Sequence, residues 1–293
     1  MTTLQPRAVL VTRPSELDEL LGRHGTRGQV EFFLKTRGRS IADLDAAHDR
    51  LADAVHTVTA AIPGAWRRAA VLRDDLPAFA FSPEDVVIVV GQDGLVANVA
   101  KYLAGQPVFG VNPDPGVNPG LLVPLLPAQA ATLLTGKPTF RQLTMAAAVT
   151  DDGQQLTALN EIYLGNAGHQ SARYALGGFE HPVRQSSSGL IAATGTGATG
   201  WAASIVRERH SPLPLPRPED RALAWFAREP WPGPGLDADT SEGLITDRLV
   251  VTCHSDELVL FADGIERDRI AVHWGQDVTI SCADQHLQLA QAG

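Results

Sequence analysis

The sequence predicts an α/β domain followed by a β-rich domain, and three observations carry that prediction. Val86-Val87-Ile88-Val89-Val90 is five consecutive β-branched residues, the composition of a central parallel strand covered on both faces. It runs directly into Gly91-Gln92-Asp93-Gly94, a helical stretch from Leu95 to Leu103 and a second strand-like run at Pro107–Val111, which together make a βαβ unit. After Leu134 the texture changes to short strand-like pieces separated by turn signals, the spacing of a β-sandwich or similar. An α/β domain over 1–125 and a β-rich domain over 126–293 are expected, with the last residues packing back on the first domain.

Taken in order, Ala8–Val11 is a short apolar run bounded by Pro6 and Pro14 and reads as a buried strand. Ser15 is suited to cap a helix running to about Leu21, with Glu16 and Asp18 in its first turn. His24 to Gly28 is a glycine-bearing break, after which Gln29–Thr36 and Ile41–Ile62 return to helical spacing. In the second half, strands are expected at 142–149, 158–164, 171–176, 190–194, 249–252, 257–262, 269–272 and 278–282, with one helix from Gly200 to about Arg209. The proline-rich span from Pro212 to Pro234 reads as an irregular surface loop.

Composition limits what such a chain does. Of 293 residues, 44% are hydrophobic and 19% charged, which supports a buried core and excludes a disordered tail. Lys+Arg number 24 against Asp+Glu 33, so a nucleic acid is not expected as a partner. A phosphorylated small molecule needs only a local nest of donors and stays open. No apolar run approaches the roughly 20 residues that span a bilayer, so no membrane partner is expected. The start, TTLQPRAVLV, shows no signal-peptide pattern, and Cys253 and Cys282 form no CxxC; a cytoplasmic protein is expected.

Four stretches could carry chemistry. Gly91–Gly94 lies at a strand's carboxyl end and opens a helix, so its backbone can approach an anion at the positive end of the helix dipole. Asp93 within it would repel phosphate unless it takes a proton or holds a metal ion; Gly and Asp also make ordinary turns there. Asn112-Pro113-Asp114-Pro115-Gly116 follows the next strand as a rigid loop, a turn or a site. Asn160-Glu161 sits amid apolar residues, and such a pair suits the edge of a purine or amide and the paired hydroxyls of a ribose. Between Ser186 and Trp201, a strand enters three glycines alternating with hydroxyl residues and a helix begins, which exposes backbone N–H groups and hydroxyls at a helix start. Trp201 could stack on a base or belong to the core. The histidines do not cluster at metal-ligand spacings, and no metal-ligand set is expected. Asp263-Gly264 reads as a hairpin turn without a catalytic role.

In order and approximate spacing these stretches resemble the NAD kinase family, which shares a superfamily with diacylglycerol and sphingosine kinases. The family's Gly-Gly-Asp-Gly-Thr loop is similar to Gly91-Gln92-Asp93-Gly94-Leu95, its Asn-Glu/Asp motif to Asn160-Glu161, and its glycine- and threonine-rich loop to Thr194–Trp201. The mitochondrial-type branch is the closer match, through Gly110–Pro115, Ala158–Ile162, Ser187–Leu190 and Arg228–Pro230. The resemblance spans about residues 8 to 265.

The resemblance implies a Rossmann-like three-layer nucleotide-binding domain, a β-sandwich domain that binds NAD, and an active site between them. It implies ATP-dependent phosphorylation of the 2′-hydroxyl of the adenosine ribose of NAD, with Mg²⁺ on the phosphates, in a homodimer. Asp93 would accept the hydroxyl proton. Gly91, Gln92 and Gly94 would cradle ATP phosphate with Asn112 alongside. Asn160 and Glu161 would hold the adenosine part; Thr194, Thr196, Thr199 and Trp201 would line the adenine and ribose pocket; Ser188 would lie near the nicotinamide half. Two positions depart from the family: Gln92 replaces the loop's second glycine and Leu95 its threonine. An NAD(P)-binding protein with an impaired ATP site, and a kinase for a lipid or sugar hydroxyl, are the alternatives.

Overall fold

The computed structural model describes residues 5–292. The chain divides into two compact units, Met1–Arg141 with Gln288–Gly293, and Gln142–Leu287.

The first unit is a mixed α/β layer structure built on a parallel sheet. Its elements are β1 (Arg7–Thr12), α1 (Glu16–His24), α2 (Arg27–Lys35), α3 (Ile41–Ala61), β2 (Arg67–Leu72), β3 (Asp85–Val90), α4 (Asp93–Ala100), β4 (Pro107–Val111) and α5 (Pro127–Thr135). The strands lie in the order β2-β1-β3-β4, all parallel, with Val9 opposite Val87 and Ile88 opposite Phe109. Gln288 and Leu289, near the end of the chain's last strand, add parallel to Pro107 and Val108. Ile88, Val90 and Val111 on one face pack with Ala54 and Val58 of α3 and with Ala130 and Leu134 of α5. Val87 and Val89, which alternate to the other face, are equally buried, as a strand covered on both sides requires.

Local chemistry explains the boundaries. Ser15 caps α1 in a capping box with Asp18, and Gly25 at φ 80° closes the helix on the Leu21 carbonyl. α4 begins at Asp93, two residues before the start expected from its apolar run, because Gln92 in extended backbone supplies the cap position. β2 and α5 carry little periodic signal: β2 reads Arg-Arg-Ala-Ala-Val-Leu and buries only Val71 well.

The second unit holds two antiparallel-rich sheets around one core. In chain order its elements are β5 (Phe140–Thr150), β6 (Gln155–Ala158), β7 (Glu161–Gly165), β8 (Ala172–Leu176), β9 (Val183–Ser187), β10 (Gly189–Ala193), α6 (Trp201–Arg209), β11 (Leu223–Arg228), β12 (Glu242–Ile245), β13 (Arg248–Cys253), β14 (Glu257–Ala262), β15 (Ile265–His273) and β16 (Asp277–Ala290). One sheet runs β16-β13-β8-β9 with β5 and β6 attached, and the other β12-β11-β10-β7-β14-β15. Ile162, Leu164, Leu190, Trp225 and Leu260 of the second sheet share a buried cluster with Tyr174, Leu176, Val251 and Ile280 of the first. α6 covers part of the opposite face of the second sheet through Ala202 and Ile205.

Two expectations are corrected here. The proline-rich span is not one loop: β11 lies between its two proline clusters, pairs with β10 and β12, and buries Trp225 and Phe226. Prolines at both ends leave six residues free to donate ladder hydrogen bonds, which suffices for a central strand. The strand expected over 158–164 is two strands, β6 and β7, separated by a bend at Leu159-Asn160.

Candidate functional site

In the first unit, Gly91, Gln92, Asp93, Gly94 and Asn112 lie at the carboxyl ends of β3 and β4, where an α/β sheet presents its loops. Asp93 is tied down by backbone. Its Oδ1 accepts from Leu122 N at 2.8 Å and Val123 N at 3.1 Å, and its Oδ2 from Leu121 N at 2.9 Å. A carboxylate oxygen offers two lone pairs, so Oδ1 is saturated and Oδ2 keeps one acceptor position. The 120–123 segment can come this close because β4 has a glycine beneath it: a Cβ on Gly110 would fall 1.9 Å from the Leu122 carbonyl oxygen. A Cβ on Gly94, by contrast, would project into open space at the first turn of α4.

Gln92 takes φ −102° and ψ 164°, an extended conformation open to any residue, so the position does not require glycine and the glutamine sits there without backbone strain. Its side chain spans the sheet's carboxyl edge. Arg13, just past β1, donates to Gln92 Oε1 at 3.0 Å, and Gln92 Nε2 donates to Asn118 Oδ1 at 3.4 Å. Leu95 is buried under this loop as a core residue of α4. Asn112 is buried, and its amide serves the loop: Nδ2 donates to Asn118 O at 2.8 Å and Oδ1 accepts from Asp114 N at 3.0 Å.

In the second unit the bend before β7 is held from three sides. Asp263, in the β14–β15 turn at φ 51°, accepts from Leu159 N at 2.9 Å, Asn160 N at 2.7 Å and Glu161 N at 3.3 Å. Thr194 N donates to Asn160 O at 2.8 Å, and Asp263 N to Glu161 O at 3.0 Å. Gly197 packs on the same bend, since a Cβ there would lie 2.2 Å from Asn160 O. The backbone is thus fixed while the Asn160 amide and the Glu161 carboxylate make no side-chain hydrogen bond among the described residues. Burial raises Glu161 to about 7, and the charge of Asp263 adds to the effect.

The hydroxyl residues of the glycine-rich loop divide by role. Thr194 is spent on structure: its hydroxyl donates to Leu159 O and accepts from Thr196 N and Gly197 N. Thr199 likewise donates to Thr196 O. Thr196 differs, because its hydroxyl oxygen is buried and has no partner among the described residues. An orphaned hydroxyl is costly and fits a ligand that completes it. Ser188 is exposed between β9 and β10. Trp201 stacks on Tyr163 at 5.8 Å and 11°, with the Arg228 guanidinium 5.0 Å from its ring centroid.

Two groups escaped the sequence reading. Asp263 had only the Asp-Gly turn signal, and nothing local to it indicates that its carboxylate reaches the 159–161 backbone. Tyr163 lay inside a recognised apolar strand, where an aromatic residue is ordinary; its nearby Gly165 was the available signal.

No family model matches the chain, and no curated protein matches it. Among solved structures, it is similar to an NAD kinase from Archaeoglobus fulgidus in complex with ATP, with a TM-score of 0.59 and 18% sequence identity, covering 98% of this chain and 94% of that one. The chain has an NAD kinase-like fold.

Proposed function

We propose that this chain is a phosphotransferase that moves the γ-phosphoryl group of ATP to the 2′-hydroxyl of the adenosine ribose of NAD or NADH. The observation that carries the reading is the bend at 159–161: an Asn amide and a Glu carboxylate that make no side-chain hydrogen bond among the described residues, on a backbone pinned by Asp263, with a Thr196 hydroxyl that likewise has no partner among the described residues on the loop packed against it. Pre-set polar groups of this kind recognise a ribose and a base edge with little ordering cost. The fold's likeness to an ATP-bound NAD kinase supports the donor.

In this reading Asn160, Glu161 and Thr196 hold the adenosine, with Trp201 and Ser188 on the same unit lining its surroundings. Gly91, Gly94 and the first turn of α4 receive phosphate oxygens. Asp93 takes the hydroxyl proton on Oδ2, the ribose oxygen bonds to the γ-phosphorus, and the bond from that phosphorus to the bridging oxygen of ADP breaks. Among the described residues no three His, Cys, Asp or Glu side chains gather as a metal site. When bound with the triphosphate, Mg²⁺ would neutralise charge on the transferred group. A cytoplasmic homodimer belongs to the same reading; no helix among the described residues is long and apolar enough to cross a membrane.

Purified protein incubated with NAD or NADH, ATP and Mg²⁺ is expected to form NADP or NADPH; no product with either acceptor overturns the kinase reading. One observation favours a second reading, an NAD(P)-binding protein without transfer: the Gln92 side chain, linked to Arg13 and Asn118, stands where the family has only backbone. If Gln92 closes the donor site, Gln92→Gly gains activity; if it does not, the substitution gains none.

A further inference from the structure

The first unit carries a cavity of about 530 Å³ between the end of α1 and one face of α2, a volume within the usual range for small-molecule sites. None of its lining residues belongs to the loops at the sheet's carboxyl edge. On α2 it runs along Gly28, Phe32 and Phe33 to Arg37, just past the helix end. Arg23 and His24, in the last turn of α1, close the other side.

The lining is cationic and aromatic. Acidic residues outnumber basic ones in the chain, 33 to 24, yet no carboxylate lines this cavity and two guanidiniums do. Arg23 makes no hydrogen bond or ion pair among the described residues. Arg37 is held in place: its guanidinium lies 3.8 Å from the Phe33 ring centroid, and Nη1 donates to Phe33 O at 3.2 Å and to Thr36 Oγ1 at 3.1 Å. That leaves Nη2 and Nε without partners among the described residues, on a group already oriented. The His24 ring lies 4.5 Å from the Phe33 ring, and its Nε2 is enclosed without a hydrogen-bond partner among the described residues. Phe32, 71% exposed, forms a rim that the protein's own packing leaves bare.

Gly28 points the same way. It sits in the first turn of α2, outside the left-handed region, and a Cβ built on it meets nothing within 4 Å beyond its own helix and chain neighbours. Neither a turn nor a close approach calls for glycine there, and glycine inside a helix is destabilising relative to alanine. Its effect is to keep the cavity wall free of a side chain.

We propose that this cavity is a ligand site separate from the nucleotide site, and that it takes a planar aromatic ring bearing a carboxylate or a phosphate. Phe32 and Phe33 flank the ring, while Arg23 and the free edge of Arg37 hold the anion. The site uses none of the residues assigned to phosphoryl transfer, so it stands or falls independently of the kinase reading.

Fluorescence anisotropy of 1-naphthyl phosphate, 1-naphthoate and uncharged 1-naphthol, each titrated with the full chain, tests this. Both anions are expected to bind at least tenfold more tightly than the naphthol, and the tighter of the two identifies the charged group of the ligand. Excess NAD and ATP should leave the anions bound. Arg23→Gln, at an exposed position, is expected to weaken both anions about tenfold, the scale of one lost charge-assisted hydrogen bond. Gly28→Leu is expected to abolish binding by filling the cavity while the unfolding temperature holds or rises, since leucine is the better helix former. Naphthol binding as tight as the anions, displacement by NAD or ATP, anion binding that neither substitution changes, or no binding by either anion overturns the site.

Discussion

The Asp263 carboxylate holds Asn160 by its backbone: Oδ1 accepts from the Asn160 N–H at 2.7 Å, across 103 positions of sequence. The same carboxylate takes the Leu159 and Glu161 N–H groups, so one side chain satisfies the three donors of a bend that no strand ladder serves. The proposed adenosine site therefore depends on a residue outside it.

Asp263→Ala is expected to cost roughly 2–4 kcal/mol in denaturant unfolding, because it leaves those donors without their acceptor and puts alanine at φ 51°. NAD affinity should fall with it. Asp263→Asn keeps a residue that tolerates the left-handed region and one acceptor oxygen, so its loss should be smaller. Equal stability of the alanine variant and the wild type would remove Asp263 from this role.

Glu161 sets a pH dependence. Burial, aided by Asp263, raises it from an ordinary 4.5 to about 7, so the folded state binds its proton more tightly than the unfolded chain. The resulting stability is fully present below pH 4.5 and is lost as pH rises through about 7. Its size is roughly 3 kcal/mol at most, since the side chain retains some solvent contact. Unfolding curves between pH 4.5 and 8 should show the decline, and Glu161→Gln should flatten it. An unchanged slope in that variant assigns the decline to other groups.

What the sequence disclosed follows from the range of the forces involved. Val86–Val90 and the Ser15 cap were legible because burial on both faces and capping are written in adjacent residues. β11 was hidden by the prolines around it, and β2 by its polar composition. In the candidate site, residue types were visible but their employment was not. Thr194 and Asn112 read as ligand-binding groups, yet their polar atoms close loops of the protein itself. Gly195 and Gly197 read as a turn that exposes backbone N–H groups to a ligand, yet a Cβ on either would strike backbone, of Arg217 in one case and Asn160 in the other. Those partners are remote in sequence, so no local pattern could report them.

Asp93 and Gly110 offer a sharper test, because the structure makes them one device. Gly110 lets the 120–123 segment settle on β4, and that segment's amides are the three donors to Asp93. Asp93→Asn would turn an NH₂ group toward one set of donors, which should cost roughly 2–3 kcal/mol as well as abolish NADP formation; a substitution silent in folding is not expected. Gly110→Ala must push the Leu122 carbonyl away from a Cβ 1.9 Å distant, at roughly 3 kcal/mol or more, and should lower activity by stripping Asp93 of its partners. If the two act through the same contact, the double variant loses less than the two single losses added together, since a segment already displaced has no amides left to lose. Strict additivity in urea unfolding would mean that Gly110 and the Asp93 amides stabilise the unit independently.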